Sequence, residues 1–141
     1  MICLDASVAT KWLIEEEFSE QADALAIESR ASDEPMVGPP HLQAEVSNNI
    51  FQRVRGGVLT LGEGQDKLHD LASYGVSVRE PPGLYLRAFE LGTRYQVASG
   101  YDAIYLSLAW LLGAELWTDD RRLLNALRGR VAYVHWIGDW G

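Results

Sequence analysis

Ser99 to Leu123 reads SGYDAIYLSLAWLLGAELWTDDRRL, and its order of helix, tight turn, strand and new helix start decides the fold. The helix that opens beside Asp102 carries Ala103, Ile104, Leu106, Leu108, Ala109, Leu111 and Leu112. These apolar residues run round nearly the whole circumference, as a buried helix requires. Glu115-Leu116-Trp117-Thr118 follows as a short strand, and Asp119 and Asp120 stand where it ends. If that strand is parallel to its neighbours, both ends of the unit face the same sheet edge, and acids distant in sequence come close in space.

The rest of the chain supplies the neighbours. Ile2-Cys3-Leu4 reads as a buried strand that ends at Asp5. A helix follows with Val8, Ala9, Trp12 and Leu13 on one side, Lys11 and Glu15 on the other, and then the solvated run Glu15-Glu16-Glu17. A second amphipathic pattern through Ala22, Leu25 and Ala26 leads to a strand at Met36-Val37, stopped by Gly38-Pro39-Pro40. Leu42, Val46, Ile50 and Val54 then form a core-facing helical stripe, with Glu45, Asn48, Asn49 and Gln52 on the opposite face. Further helices are expected over about Leu61 to Ala72 and Leu84 to Tyr95, with strands at Val76-Ser77-Val78 and Val131-Ala132-Tyr133-Val134.

Short apolar strands alternating with helices imply a sheet covered on both faces. The expected architecture is a three-layer α/β/α sandwich with a central, mainly parallel sheet of about five short strands, a single domain over residues 1–141 without internal repeat or linker. Sheets of this kind bind ligands beyond the carboxyl ends of their strands. Asp5, Glu45, Asp102 and Asp119/Asp120 all fall there, which predicts one acidic cleft.

The net charge of −8 argues against a broad electrostatic surface for nucleic acid. It leaves room for a nuclease, because divalent ions held by clustered carboxylates reverse the local sign. Arg121, Arg122, Arg128 and Arg130 crowd together after the acid pair and read either as a solvated helix face or as phosphate contacts. A single cysteine and the absence of any zinc-spaced Cys/His array favour a reducing, cytoplasmic setting. No membrane-spanning or targeting segment is evident. His41, His69 and His135 share no spacing and read as structural or exposed. Carboxylates without His or thiolate partners select Mg²⁺ or Mn²⁺ over Zn²⁺.

Each acid also has a plainer reading. Asp5 can cap the helix that follows it, Glu45 can be solvated, and Ser99-Gly100-Tyr101-Asp102 matches a capping box in which Asp reaches back to the Ser amide. Thr118, Asp119 and Asp120 can also be helix-cap residues. What favours a common site is that all of them recur at one sheet edge.

With those positions in hand the chain resembles a PIN domain, most closely a VapC-like toxin, the ribonuclease half of bacterial type II toxin–antitoxin pairs. The resemblance rests on Leu4-Asp5-Ala6-Ser7-Val8, Ala44-Glu45-Val46-Ser47-Asn48, Tyr101-Asp102-Ala103 and Leu116-Trp117-Thr118-Asp119-Asp120-Arg121-Arg122-Leu123, in that order. It implies that Asp5, Glu45, Asp102 and Asp120 form a catalytic quartet holding Mg²⁺ or Mn²⁺, with Asp119 in reserve and Ser7, Asn48 and Thr118 ordering the ligands. Arg121 and Arg122 would be possible RNA contacts, although Arg122 stands where many relatives carry a further acid. It further implies an RNA substrate cleaved by metal-activated water, a cognate antitoxin and a homodimer.

Two other classes compete. An aspartyl phosphatase would also place an acid at the end of the first strand, but here Ala6-Ser7 follow in place of a second Asp. A non-catalytic PIN-like binding module would need no intact quartet.

Overall fold

A computed structural model of the protein describes residues 1–141. Its elements run β1 (Ile2–Leu4), α1 (Ala6–Leu13), α2 (Ser19–Ala31), β2 (Met36–Gly38), α3 (Leu42–Arg55), α4 (Leu61–Leu71), β3 (Ser77–Val78), α5 (Leu84–Tyr95), α6 (Gly100–Leu112), β4 (Glu115–Thr118), α7 (Arg121–Leu127) and β5 (Val134–Trp136). Single 3₁₀ turns follow α4 and β5. The five strands form one sheet in the order β3-β2-β1-β4-β5, every pair parallel. Helices α1 to α4 pack on one another and α5 packs on α6, so the sheet lies between two helical layers as the alternation of elements required.

β1 is central and buried along its whole length. Its neighbours are β2, with Ile2 opposite Met36, and β4, with Leu4 opposite Trp117. The chain winds outward from β1 to β3 and then crosses to β4 and β5 on the other side. A crevice therefore opens between the carboxyl ends of β1 and β4, where such a sheet presents its ligand site.

Local chemistry sets the element ends. Thr60 and Glu63 form a reciprocal capping box at the start of α4, with bonds of 3.1 and 3.0 Å. Gly113 closes α6 at φ 63°, a left-handed conformation suited to glycine, and turns the chain directly into β4. α6 buries Ala103, Tyr105, Leu106, Ser107, Leu108 and Ala109, leaving Trp110 exposed on its outer side.

The structure alters three expectations. The last strand begins at Val134, three residues beyond the expected start. Val131 instead turns inward as part of the core, and its carbonyl accepts from the Val134 amide at 3.2 Å. A short apolar run cannot distinguish a strand from a core-filling turn. Lys11, placed on the outer side of α1 by periodicity, is 5% exposed. Glu16, expected in a solvated run, is half-buried and pairs with Lys11 and Arg53 at 3.2 and 2.8 Å.

Leu4, fully buried in the central strand, tests this arrangement. Leu4→Ala is expected to destabilise the fold by about 2–5 kcal/mol, read as a lower urea midpoint with an unchanged slope.

Candidate active site

Leu4 and Trp117 are paired across β1 and β4, and the Asp5 amide donates to the Trp117 carbonyl at 3.2 Å. That register brings Asp5 beside Thr118. The Thr118 hydroxyl donates to Asp5 Oδ2 at 2.5 Å, and the Ser7 hydroxyl donates to the same oxygen at 3.0 Å. Both hydroxyls then accept from the next loop: Ser7 from the Asp119 amide at 2.8 Å, and Thr118 from the Asp120 amide at 2.9 Å. Asp5 stands at the N-cap position of α1 yet makes no capping bond. Its carboxylate is held by side chains from β4 and α1, with Oδ1 outside these hydrogen bonds.

Burial and the like charges of Glu45 and Asp120 push the Asp5 carboxyl up to about 6, against the pull of the two hydroxyl bonds. Asp102, in the first turn of α6, is raised by burial and by the charges of Asp120 and Glu45. Half of the expected capping box forms, the Asp102 amide donating to Ser99 Oγ at 3.2 Å. The other half does not, and Asp102 Oδ2 is buried without a partner. Glu45 behaves differently. Burial would raise it, but the His41 imidazole and the Tyr105 hydroxyl outweigh that and hold it below the usual glutamate range. The Tyr105 hydroxyl donates to Glu45 Oε1 at 2.7 Å, and His41 Nε2 lies 3.2 Å from the same oxygen.

Asp120 caps α7, its Oδ1 accepting from the Arg122 and Leu123 amides at 3.0 and 3.3 Å. It is the acid of the pair whose charge reaches Asp5 and Asp102. Asp119 points the other way. Its Oδ2 pairs with Lys11 Nζ at 2.8 Å, and its Oδ1 accepts from the Trp136 indole at 2.9 Å. Asp5 and Asp102 are each raised by the charges of the same two acids, Glu45 and Asp120, which places all four at one edge of the sheet.

No three His, Cys, Asp or Glu side chains are already drawn to ligating range of one point. The four acids are linked by charge and share no hydrogen-bonded atom. Their donors are all oxygen and one of them is buried and unpartnered, a set that fits a hard divalent cation and lacks the nitrogen and sulfur donors typical of zinc.

The remaining expected residues divide. Ser7 and Thr118 touch Asp5 directly. Asn48 is exposed and makes only a 3.5 Å contact with Gln52, whereas Asn49 donates to Thr10 at 2.9 Å. Arg122 is exposed and its charge lowers the Asp102 carboxyl. Arg121 leans over Trp136, 4.6 Å from the ring, with Asp119 at 3.6 Å. Arg130 donates to the Leu127 and Ala126 carbonyls, both at 3.1 Å, so the four arginines are not one phosphate-facing cluster. His41, read from sequence as structural or exposed, sits against Glu45 and between the rings of Tyr101 and Tyr105. Tyr105 was also missed, although a hydroxyl one turn after Asp102 on an apolar helix was its signal.

Residues 2–128 match the PIN domain family, and the chain belongs to it. Its sequence is 31% identical over 125 residues to ribonuclease VapC3 of Pyrobaculum aerophilum, an alignment spanning 86% of this chain and 91% of that one. Among solved structures, PAE2754 from Pyrobaculum aerophilum matches 97% of this chain and 89% of its own at a TM-score of 0.71 and 20% identity. FitAcB from Neisseria gonorrhoeae matches 91% and 94% at a TM-score of 0.59 and 16% identity. At these identities the two structures speak for the fold.

The raised Asp5 carboxyl has a measurable consequence. The unfolded chain ionises this group near pH 4 and the folded chain near 6, so the folded state binds the proton more tightly and loses stability as pH rises between those values. In metal-free buffer Asp5→Asn is expected to be more stable than the parent above pH 6, by on the order of 1–3 kcal/mol. The difference should vanish near pH 4, as thermal melts across that range would record.

Proposed function

We propose that residues 1–141 act as one PIN-like domain, a Mg²⁺- or Mn²⁺-dependent endoribonuclease that serves as the toxin of a toxin–antitoxin pair in the cytoplasm. The observation that carries this reading is the Asp5 carboxylate pinned by Ser7 and Thr118 where β1 and β4 end, together with a buried, unpartnered oxygen on Asp102, both acids raised by the charges of Glu45 and Asp120. Four carboxylates gathered at one sheet edge, two of them raised by burial and by the charges of the others, are suited to holding a cation. Family membership and the name of the VapC3 relative support nuclease chemistry on RNA. No helix is long and apolar enough to cross a membrane.

Asp5, Asp102, Asp120 and Glu45 would hold the ion. When bound, such an ion polarises the phosphodiester and makes water a competent nucleophile at neutral pH. The chain's own residues prepare that site. Ser7 and Thr118 fix the Asp5 carboxylate through Oδ2, Tyr105 fixes Glu45 through Oε1, and the α7 amides fix Asp120 through Oδ1. In each case one oxygen is anchored and the other left over, so the ligands are oriented before the ion arrives. Arg122, close enough to act on Asp102, would meet a phosphate of the substrate strand.

The resemblance to VapC-like toxins supplies the partners: a cognate antitoxin that blocks the cleft, and a second copy of the chain. The exposed Tyr85, Leu86 and Phe89 on α5 support the latter, as apolar surface in contact with a partner.

Incubation of a mixed RNA pool with Mg²⁺ or Mn²⁺ tests the reading. Cleavage is expected from the parent protein, to be abolished by EDTA, and to fall by roughly 100-fold or more in Asp5→Asn and in Asp102→Asn. Equal cleavage by parent and variants would sink the mechanism, and phosphomonoester hydrolysis without RNA cleavage would point to the phosphatase class.

A further inference from the structure

Lys11 is the one cation buried in this protein, its side chain 4% exposed. It projects from α1 one turn after Ser7, on the same face of the helix. That face grips the β4–α7 corner at two points: the Ser7 hydroxyl accepts from the Asp119 amide, and Lys11 Nζ pairs with the Asp119 carboxylate at 2.8 Å. The Trp136 indole holds the other Asp119 oxygen. Behind Lys11 lie Glu16 at 3.2 Å and then Arg53, 2.8 Å from Glu16. Asp119, Lys11, Glu16 and Arg53 thus form a chain of alternating sign with no net charge.

Asp120 is in extended conformation, φ −75° and ψ 102°, and successive side chains of an extended segment point to opposite sides. Whichever acid of the pair faces α1, the other faces Asp5 and Asp102. We propose that Lys11 is a positioning residue of the acidic site, which by neutralising Asp119 holds the corner in the orientation that presents Asp120. Without that charge Asp119 would keep only the exposed Arg121, 3.6 Å away, as a counter-ion, and would be a fifth carboxylate free to compete with Asp120 for the crevice. The inference rests on the reading of the crevice as a cation site.

Four forms of the full chain test it: the parent, Asp5→Asn, Lys11→Met, and Lys11→Met combined with Asp119→Asn. Mn²⁺ binding is measured by calorimetry at a temperature where circular dichroism shows each form folded. The proposal expects Kd to rise at least tenfold in Lys11→Met. In the double variant, where an amide keeps the Trp136 bond and carries no charge, Kd should return to within threefold of the parent. A Lys11→Met form that binds as tightly as the parent or more tightly, or a double variant that does not recover, overturns it. If Lys11→Met alone does not fold, the double variant decides the matter, since the proposal requires it to fold and to bind within threefold. A parent that binds no Mn²⁺, or binds it independently of Asp5, overturns the cation-site reading and this inference together. A parent that binds through Asp5 alongside an unaffected Lys11→Met overturns this inference alone.

Discussion

Leu4 lies opposite Trp117 across the two central strands, and the geometry of the crevice follows from that pairing. A slip of one residue would turn every side chain of β1 to the other face and move Asp5 away from Thr118. In the observed register the Asp5 amide closes the ladder on the Trp117 carbonyl, and the next two residues of β4 and its turn fall within reach of Asp5 and Ser7. The hydroxyls of Ser7 and Thr118 then have double duty. Each donates to the Asp5 carboxylate and accepts from a backbone amide of the turn, so the strand ends and the acid between them form one hydrogen-bonded unit.

The same unit concentrates charge in a buried place. Asp5 and Asp102 are raised by burial and by one another's neighbours, a cost in folding free energy that the rest of the core must offset. The protein places apolar mass directly beneath that cost: β1 is buried along its whole length, and α6 buries Tyr105, Leu106 and Leu108. Glu45 is the exception, because a tyrosine hydroxyl and an imidazole relieve it. The four acids are therefore not equivalent: two are electrostatically strained, one is relieved by aromatic donors, and one is tied into a helix cap.

Much of this was legible in the chain. Parallel strands at Ile2–Leu4, Met36–Gly38 and Glu115–Thr118 follow from short apolar runs between helical patterns, and the arrival of Asp5 and Asp120 at one sheet edge follows from where β1 and β4 end. Lys11 was not legible, because periodicity reports which face of α1 opposes its apolar stripe and not what covers that face. The cover comes from the β4–α7 corner and from Trp136, more than a hundred residues away. Asp102 was ambiguous for a different reason: Ser-x-x-Asp announces a capping box, and only packing decides that the Asp half is left unmade. The role of His41 depended on two aromatic rings from α6, which no local spacing could supply.

The bond from Thr118 to Asp5 joins residues 113 apart in sequence, and this separation governs when the crevice can come into being during synthesis. β1 is made well before its partner β4 and the corner that carries Asp120, which follow only after α5 and α6. Contacts of such long range form late and slowly. A growing chain therefore carries Asp5 through the synthesis of more than a hundred further residues before Thr118 can bind it, so the crevice takes shape only after the layer of helices between β3 and β4 has been made.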